Sequence, residues 1–391
     1  MFHSVPVSGR AKQMSHGKQE TAATAHPSKT GGASPAKPSL NLRQLAEHLR
    51  LSQTTVSLVL NNSPAGRSIP QRTRDRVFEA ARLFHYRPNY FARSLRNSRS
   101  MSVGVIVPDL SDGYFPVVMS AIEKCLLKAH YFYVTASHYR RPELVEEYSR
   151  RLMERAVDGL LLLDTPAHIH VAAPAVAVSS HNSAPGVTNV VLDHDLAARL
   201  ALTHLRELGH ERIAFMQGAK GITDAKYRWK SILNVAKQMG IAVEPELLAQ
   251  LEETRQTPEA GYRVMQELLE RTRDFTAVFC FNDISAIGAI RAITDVGLSV
   301  PEDISVVGFD DIITAAYCKP SLTTVKQPLR EMGERAAQAL LDRIANPSKG
   351  WPAEIVMEPE LVVRESTGPV RRHPLGAQIG HATAGGAKRG G

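Results

Sequence analysis

From Ser102 onward the chain alternates short apolar runs with amphipathic stretches, and no other feature narrows the possible folds as much. Val103–Val107, Tyr131–Thr135, Leu160–Leu163, Ala175–Val178, Ile213–Met216, Ala277–Phe281 and Ile304–Val307 read as buried strands, since unbroken apolar runs of this length suit strands covered on both faces. Between them, Ala121–Ala129, Ala197–Leu208 and Ser285–Val296 carry apolar residues at helical spacing. Strand–helix–strand repetition implies parallel sheets covered by helices. Residues 101–369 hold more repeats than one such set needs. Two similar lobes with a ligand cleft between them are therefore expected.

A different pattern stands before it. Residues 41–61 read NLRQLAEHLRLSQTTVSLVLN, with Leu42, Leu45, Ala46 and Leu49 on one helical face and Val56, Val59 and Leu60 forming a second apolar set after the break at Arg50-Leu51. Ser52 occupies a helix N-cap position, and Thr54, Thr55 and Ser57 fall on the exposed face of the helix it starts. Two short helices joined by a tight turn form a helix-turn-helix, whose second helix fits the DNA major groove. A third helix is predicted from near Pro70, packing Val77, Ala80, Ala81 and Phe84 on the first two. An ordinary bundle would show the same spacing, so charge has to arbitrate. The chain carries +8 overall. Residues 39–100, with 11 Arg, no Lys and 3 acids, hold +8 by themselves, and residues 1–38 another +4, so the remainder is mildly acidic. Positive charge is concentrated where a polyanion would be gripped.

Residues 1–38 are rich in Ser, Thr, Ala, Gly, Pro and Lys and read as a disordered basic tail; the Gly/Ala-rich, basic residues 370–391 read as a second. Between module and lobes, residues 86–100, YRPNYFARSLRNSRS, read as a linker in which Pro88 stops one helix and Asn89 caps a short new one. No apolar run approaches bilayer length, and MFHSVPVSGRAKQMSHGKQE lacks the apolar centre of a secretory signal. Cys125, Cys280 and Cys318 have no ligand spacing and read as reduced thiols. A cytoplasmic protein with no membrane partner is expected.

The segment AEHLRLSQTTVSLVLN is followed by Thr73-Arg74-Asp75-Arg76-Val77, Tyr86-Arg87-Pro88-Asn89, Ala92-Arg93-Ser94-Leu95 and, near the end, Arg364-Glu365-Ser366-Thr367. In order and spacing, over residues 39–369, this resembles the LacI/GalR family of bacterial transcription regulators. The resemblance implies an α/β chain: a three-helix helix-turn-helix DNA-binding domain at 39–85, a hinge at 86–100, and a two-lobed, periplasmic-binding-protein-like effector and dimerisation domain with parallel sheets at 101–369. It also implies a homodimer on a pseudo-palindromic double-stranded operator, a small-molecule effector that is a sugar, and a hinge that folds on DNA with Leu95 wedged into the minor groove. An apolar wedge unstacks a base step, and flanking Arg side chains offset that cost. The DNA-binding set is then Ser52, Gln53, Thr54, Thr55, Ser57, Asn61, Tyr86, Asn89, Arg93 and Leu95, with Gln53 and Thr54 on base edges and Thr55 and Ser57 on phosphates. Residues 370–391 show no apolar heptads, so a dimer is expected rather than a tetramer.

Three positions depart from the family pattern. Arg50 stands at a turn position that is commonly Gly, which requires a side chain to accept positive φ. Leu58 replaces a frequent Arg and removes one bidentate contact to guanine. Ser231 replaces a common Gly.

Ligands of doubly wound folds bind at the C-terminal ends of strands, where Asp109, Tyr114-Phe115, Asn282-Asp283 and Asp310 fall. In the family the residues matching Arg228, Asn282 and Asp310 hold the effector, and Asp109, Phe115, Asp224 and Gln327 are placed with them. A guanidinium fork and carboxylate acceptors suit neighbouring hydroxyls, and an aromatic such as Phe115 covers an apolar ring face. Asp224, four residues before Arg228, either orients it or touches ligand. No P-loop, GxGxxG, HExxH or GxSxG pattern occurs, so no cofactor is expected and an enzyme is disfavoured. Asp310-Asp311 are adjacent at a strand end and should point apart, not act as a catalytic pair. The His residues read as dispersed and mostly superficial. A solute receptor for uptake would fit the lobes alone but leaves the helix-turn-helix without purpose.

Overall fold

The computed structural model describes residues 40–86, 99–111, 113–165, 171, 173–252 and 256–371. They fall into two compact units that divide between Pro88 and Asn89. The hinge residues Asn89, Arg93 and Leu95 and both tails beyond these limits lie outside the described residues.

The first unit is built from α1 (Leu42–Leu49), α2 (Gln53–Leu60), α3 (Pro64–Arg67) and α4 (Gln71–Leu83). Asn41 and Gln44 close a capping box on α1, each side chain bonding the other's backbone N–H at 2.9 Å. The helix stops at Arg50, which takes φ +54°, while Leu51 N–H reaches back to the Ala46 carbonyl at 3.0 Å. This is the six-to-one closure that glycine usually serves. Ser52 caps α2 by accepting from Thr55 N–H at 3.0 Å. Leu45, Val56, Val59 and Val77 are buried at the centre, with Ala80 and Ala81 of α4 and Phe84 just after it packed around them. The one-turn helix α3 was not expected. Ser63 caps it and Gly66 sits so close to the Leu58 carbonyl that an added Cβ would lie 2.2 Å from the oxygen.

The second unit contains two lobes of the same topology. The first lobe runs through β1 (Ser102–Val107), α5 (Tyr114–Lys128), β2 (Phe132–Ser137), α6 (Pro142–Glu154), β3 (Gly159–Leu163), β4 (Ala175–Val178) and β5 (Val187–Leu192). The second runs through α7 (His194–Glu207), β6 (Ile213–Gln217), α8 (Thr223–Met239), β7 (Leu248–Gln250), α9 (Pro258–Arg271), β8 (Ala277–Phe279), α10 (Asp283–Asp295), β9 (Ser305–Asp310) and β10 (Thr323–Lys326). The chain then returns. In α11 (Leu329–Ala345), Met332, Ala336 and Leu340 join the first lobe's core, and β11 (Glu354–Met357) pairs with β5; β12 (Glu360–Val362) crosses back to pair antiparallel with β10.

The sheet orders are β2-β1-β3-β4-β5-β11 and β7-β6-β8-β9-β10-β12, parallel throughout except at β12. Each first crossover reverses direction at its sheet's first strand, the switch point where doubly wound sheets open a ligand crevice. β1, β3, β4 and β5 are buried along their whole length, as continuous apolar runs require. None of the described helices is long and apolar enough to cross a membrane.

Candidate functional site

On the first unit, the start of α2 presents Ser52, Gln53 and Thr54 to solvent, with Thr55, Ser57 and Leu58 half-buried. Thr55 Oγ1 is 2.8 Å from Ser52 Oγ, so this pair maintains the cap. Asn61 Nδ2 donates to the Ser57 carbonyl and to Ser57 Oγ at 2.8 and 3.2 Å. Tyr86 packs at the edge of the module's core. Gln53 and Thr54 are thus the α2 side chains most open to solvent. The half-buried Leu58 has its carbonyl occupied by Ser63 N–H and Oγ, at 3.2 and 3.1 Å.

In the second unit, strand ends and helix starts of both lobes line a narrow cavity of about 30 Å³. The first lobe supplies Tyr114, Phe115, Asp164 and Ser179; the second supplies Asp224, Arg228, Phe281, Asn282 and Asp310, with Ile222 and Gln256 beside them. Arg228 is buried and fully directed. Its Nη1 donates to the Phe281 carbonyl at 2.6 Å and its Nη2 to Asp224 Oδ2 at 2.8 Å, while the guanidinium carbon lies 3.6 Å over the Phe309 ring. Its Nε has no partner among the described residues.

Asp224 Oδ1 accepts from His194 Nε2 at 3.0 Å and His181 Nε2 at 3.2 Å. Burial alone would raise this carboxyl, but the imidazoles and Arg228 outweigh it and hold Asp224 well below the usual range. Asp164 behaves oppositely. Burial pushes it up to about 6 even though Arg140 pairs with one oxygen, and its Oδ1 has no partner among the described residues. Asn282 caps α10 through Ser285 N–H at 2.9 Å and turns its Nδ2 to Gln256. Asp310 ends β9 at φ +113° and accepts from Gln327 Nε2 at 2.6 Å.

Of the effector residues predicted from sequence, Phe115, Asp224, Arg228, Asn282 and Asp310 line the cavity. Gln327 reaches it only through Asp310. Asp109 does not line it: its Oδ1 accepts from Ser111 N–H at 3.0 Å and shapes its own turn. Asp310 and Asp311 do separate, Asp311 pairing with Arg364 at 2.7 Å. Asp164, Ser179, Gln256 and Phe281 went unnamed, although Asp164 follows β3 as Asp109 follows β1. Among the described His residues, His48, His85 and His130 are exposed, whereas His138, His194 and His210 are buried and His181 nearly so. Of these, packing brings His181 and His194 together at Asp224, whereas His138 bonds the Leu163 carbonyl and His210 bonds Thr276.

Residues 202–367 match the periplasmic-binding-protein-like domain family. The HTH-type transcriptional repressor PurR of Haemophilus influenzae is 32% identical over 337 residues, covering 83% of this chain and 98% of that protein. The chain belongs to the LacI/GalR family of bacterial transcription regulators. Among solved structures, the lac repressor dimer bound to operator and the anti-inducer ONPF superposes with a TM-score of 0.74 at 26% identity, over 84% of this chain and 99% of that one. A complex of the transcriptional regulator CelR with cellobiose does so at 0.62 and 27%, with the same coverage. These relatives are DNA-binding regulators, not enzymes. The helix-turn-helix of the first unit and the two lobes of the second are the two parts a LacI/GalR regulator is made of.

Proposed function

We propose that this LacI/GalR regulator is a homodimeric repressor whose hold on a pseudo-palindromic operator is set by a sugar in the interlobe cavity. Residues 39–85 read DNA, 86–100 form the hinge with Leu95 as its minor-groove wedge, 101–369 bind effector and dimerise, and 1–38 and 370–391 are basic tails. The observation that carries the reading is the character of the cavity. Buried carboxylates at Asp164 and Asp310, a guanidinium with a spare Nε at Arg228, and aromatic walls at Phe115 and Phe281 offer what a small polyhydroxyl ring requires. Among the described residues, Asp224 pairs with Arg228 and Arg140 with Asp164, which leaves the cavity better matched to neutral hydroxyls than to a phosphate.

Sugar binding would be felt on both sides of the cavity, since its walls come from both lobes. For that to regulate DNA binding, the sugar has to prefer one lobe arrangement by ~1–3 kcal/mol, about 5–150-fold in affinity. The test is a footprinting titration on the gene's own upstream region with a panel of neutral sugars, at several salt concentrations. One sugar should change operator affinity at least about 5-fold, and Arg228→Ala should lose that response while still binding DNA. Leu95→Ala should lose the footprint. If no sugar in the panel alters binding and none raises the melting temperature, the sugar assignment fails.

A further inference from the structure

Asp224 lines the cavity, but the two imidazoles bonded to it do not. His181 stands in the loop between β4 and β5, in the first lobe. His194 opens α7 and Asp224 lies in the first turn of α8; both helices pack into the second lobe's core. The three side chains therefore meet across the seam between the lobes. Their exposures are 10, 5 and 9%. Two histidines and a carboxylate are thus largely buried together at the seam.

We propose that His181, His194 and Asp224 form a site for a divalent ion of the zinc class, which ties the two lobes together and acts as a signal distinct from the effector. The ligand atoms are already gathered: both Nε2 atoms lie 3.0–3.2 Å from Asp224 Oδ1, and all three are within 4.8 Å of one another. Zinc bonds to nitrogen and oxygen of ~2.0–2.2 Å set tetrahedral ligand atoms about 3.4 Å apart, so movements under about 1 Å complete three corners. Imidazole nitrogen and carboxylate oxygen select zinc, nickel or copper over calcium and magnesium. The fourth corner is left for water or, because Asp224 borders the cavity, for an effector oxygen.

Two of the three ligands are held by neighbouring groups, as outer-shell contacts hold ligands in metal sites. Tyr227 stacks on the His181 ring, centroids 3.7 Å apart and planes 12° from parallel. Arg228 grips the second oxygen of Asp224 and leaves Oδ1 to the imidazoles. His194 Nδ1 has no partner among the described residues, so when Nε2 turns to a metal the ring proton on Nδ1 needs a water as its acceptor. Without an ion, the same contacts serve as N–H donations to the carboxylate. With one, the first lobe is bonded to the second through His181, and opening the cleft breaks that bond. Metal should therefore favour the closed arrangement.

The test uses the full-length, untagged chain after treatment with chelator, titrated with zinc chloride by calorimetry, with bound metal counted per chain by mass spectrometry. No sugar is present, so failure of the sugar assignment leaves the result readable. The expected result is one ion per chain, a raised melting temperature, and weakening of about 10-fold or more in each of His181→Gln and His194→Gln. His130→Gln, an exposed control, should bind as the wild type does. X-ray absorption should report two imidazole ligands. Absence of saturable one-to-one binding overturns the proposal, and so does unchanged affinity in both cluster variants. If His194→Gln does not fold by circular dichroism, His181→Gln, in a loop at the seam, decides alone.

Discussion

The face of α2 that we propose reads DNA and the interlobe cavity that we propose binds effector are built on opposite terms. Gln53 and Thr54 stand in solvent on a helix whose other face is a small apolar core, and their only duty to the fold is to leave it undisturbed. Arg228, Asp224, Asp164 and Asp310 are buried, and each has a side-chain partner: Arg228 and Asp224 one another, Asp164 Arg140, and Asp310 Gln327. A duplex is met by a presented surface. A small ligand has to be surrounded, which requires taking charges out of water and pairing them in advance. Specificity can therefore be altered on α2 at little cost in stability, whereas in the cavity the two are the same interactions.

Arg228→Ala tests that difference hardest. It removes one half of a buried ion pair and should destabilise the second unit by ~3–5 kcal/mol in urea unfolding. A loss below about 1 kcal/mol would mean that the cavity's charges are solvated and that the contrast with α2 is false. Next comes pH. Asp164 moves from 3.8 to about 6 on folding, so the native state holds its proton more tightly than the unfolded chain does. The stability this contributes is complete below the ordinary carboxyl value and lost as pH rises through about 6. Between pH 4 and 7 the wild type should lose about 2 kcal/mol relative to Asp164→Asn; a pH-independent difference between the two would remove the shift.

On the exposed side, Gln53→Ala should cost ~1–3 kcal/mol of operator affinity while changing stability by under ~0.5 kcal/mol, with weak, salt-dependent binding to unrelated DNA retained. Equal losses on both sequences would assign Gln53 to phosphate. The smallest effect is expected at the turn. Arg50→Gly relieves a left-handed side chain but loosens the unfolded chain, and should stabilise the module by about 0.5–1 kcal/mol. If it destabilises, the Arg50 side chain has a role that its backbone conformation does not reveal.

The two regions also differed in how far they could be read in advance. The helix-turn-helix is a local object: caps, apolar spacing and turn lie within 20 consecutive residues, so Ser52 as a cap and Arg50 at positive φ were both legible. One local element escaped. α3 is a single turn, too short for periodicity, and its signal was Ser63 before Pro64. The cavity drew on strand ends, where any polar residue is a candidate. That rule placed Asp310 and Asn282 on its wall and Asp109 wrongly, since an Asp one residue beyond a strand serves a turn as readily as a ligand. It should also have raised Asp164, and did not.

The alternation of strand and helix determined the architecture, because each element had to bury its apolar face on a neighbour and right-handed crossovers leave few ways to do so. The local spacing of α1 and α2 likewise determined the reading module. Tertiary structure alone decided which polar groups share a space. His181, His194 and Asp224 come from three elements and two lobes, and no periodicity links positions 13 and 30 residues apart. Burial then set the chemistry of what had been gathered, holding Asp224 as an anion beside two imidazoles and Arg228 and driving the Asp164 carboxyl up beside Arg140. A pKa belongs to the surroundings of a side chain, and those exist only once the lobes have closed around it.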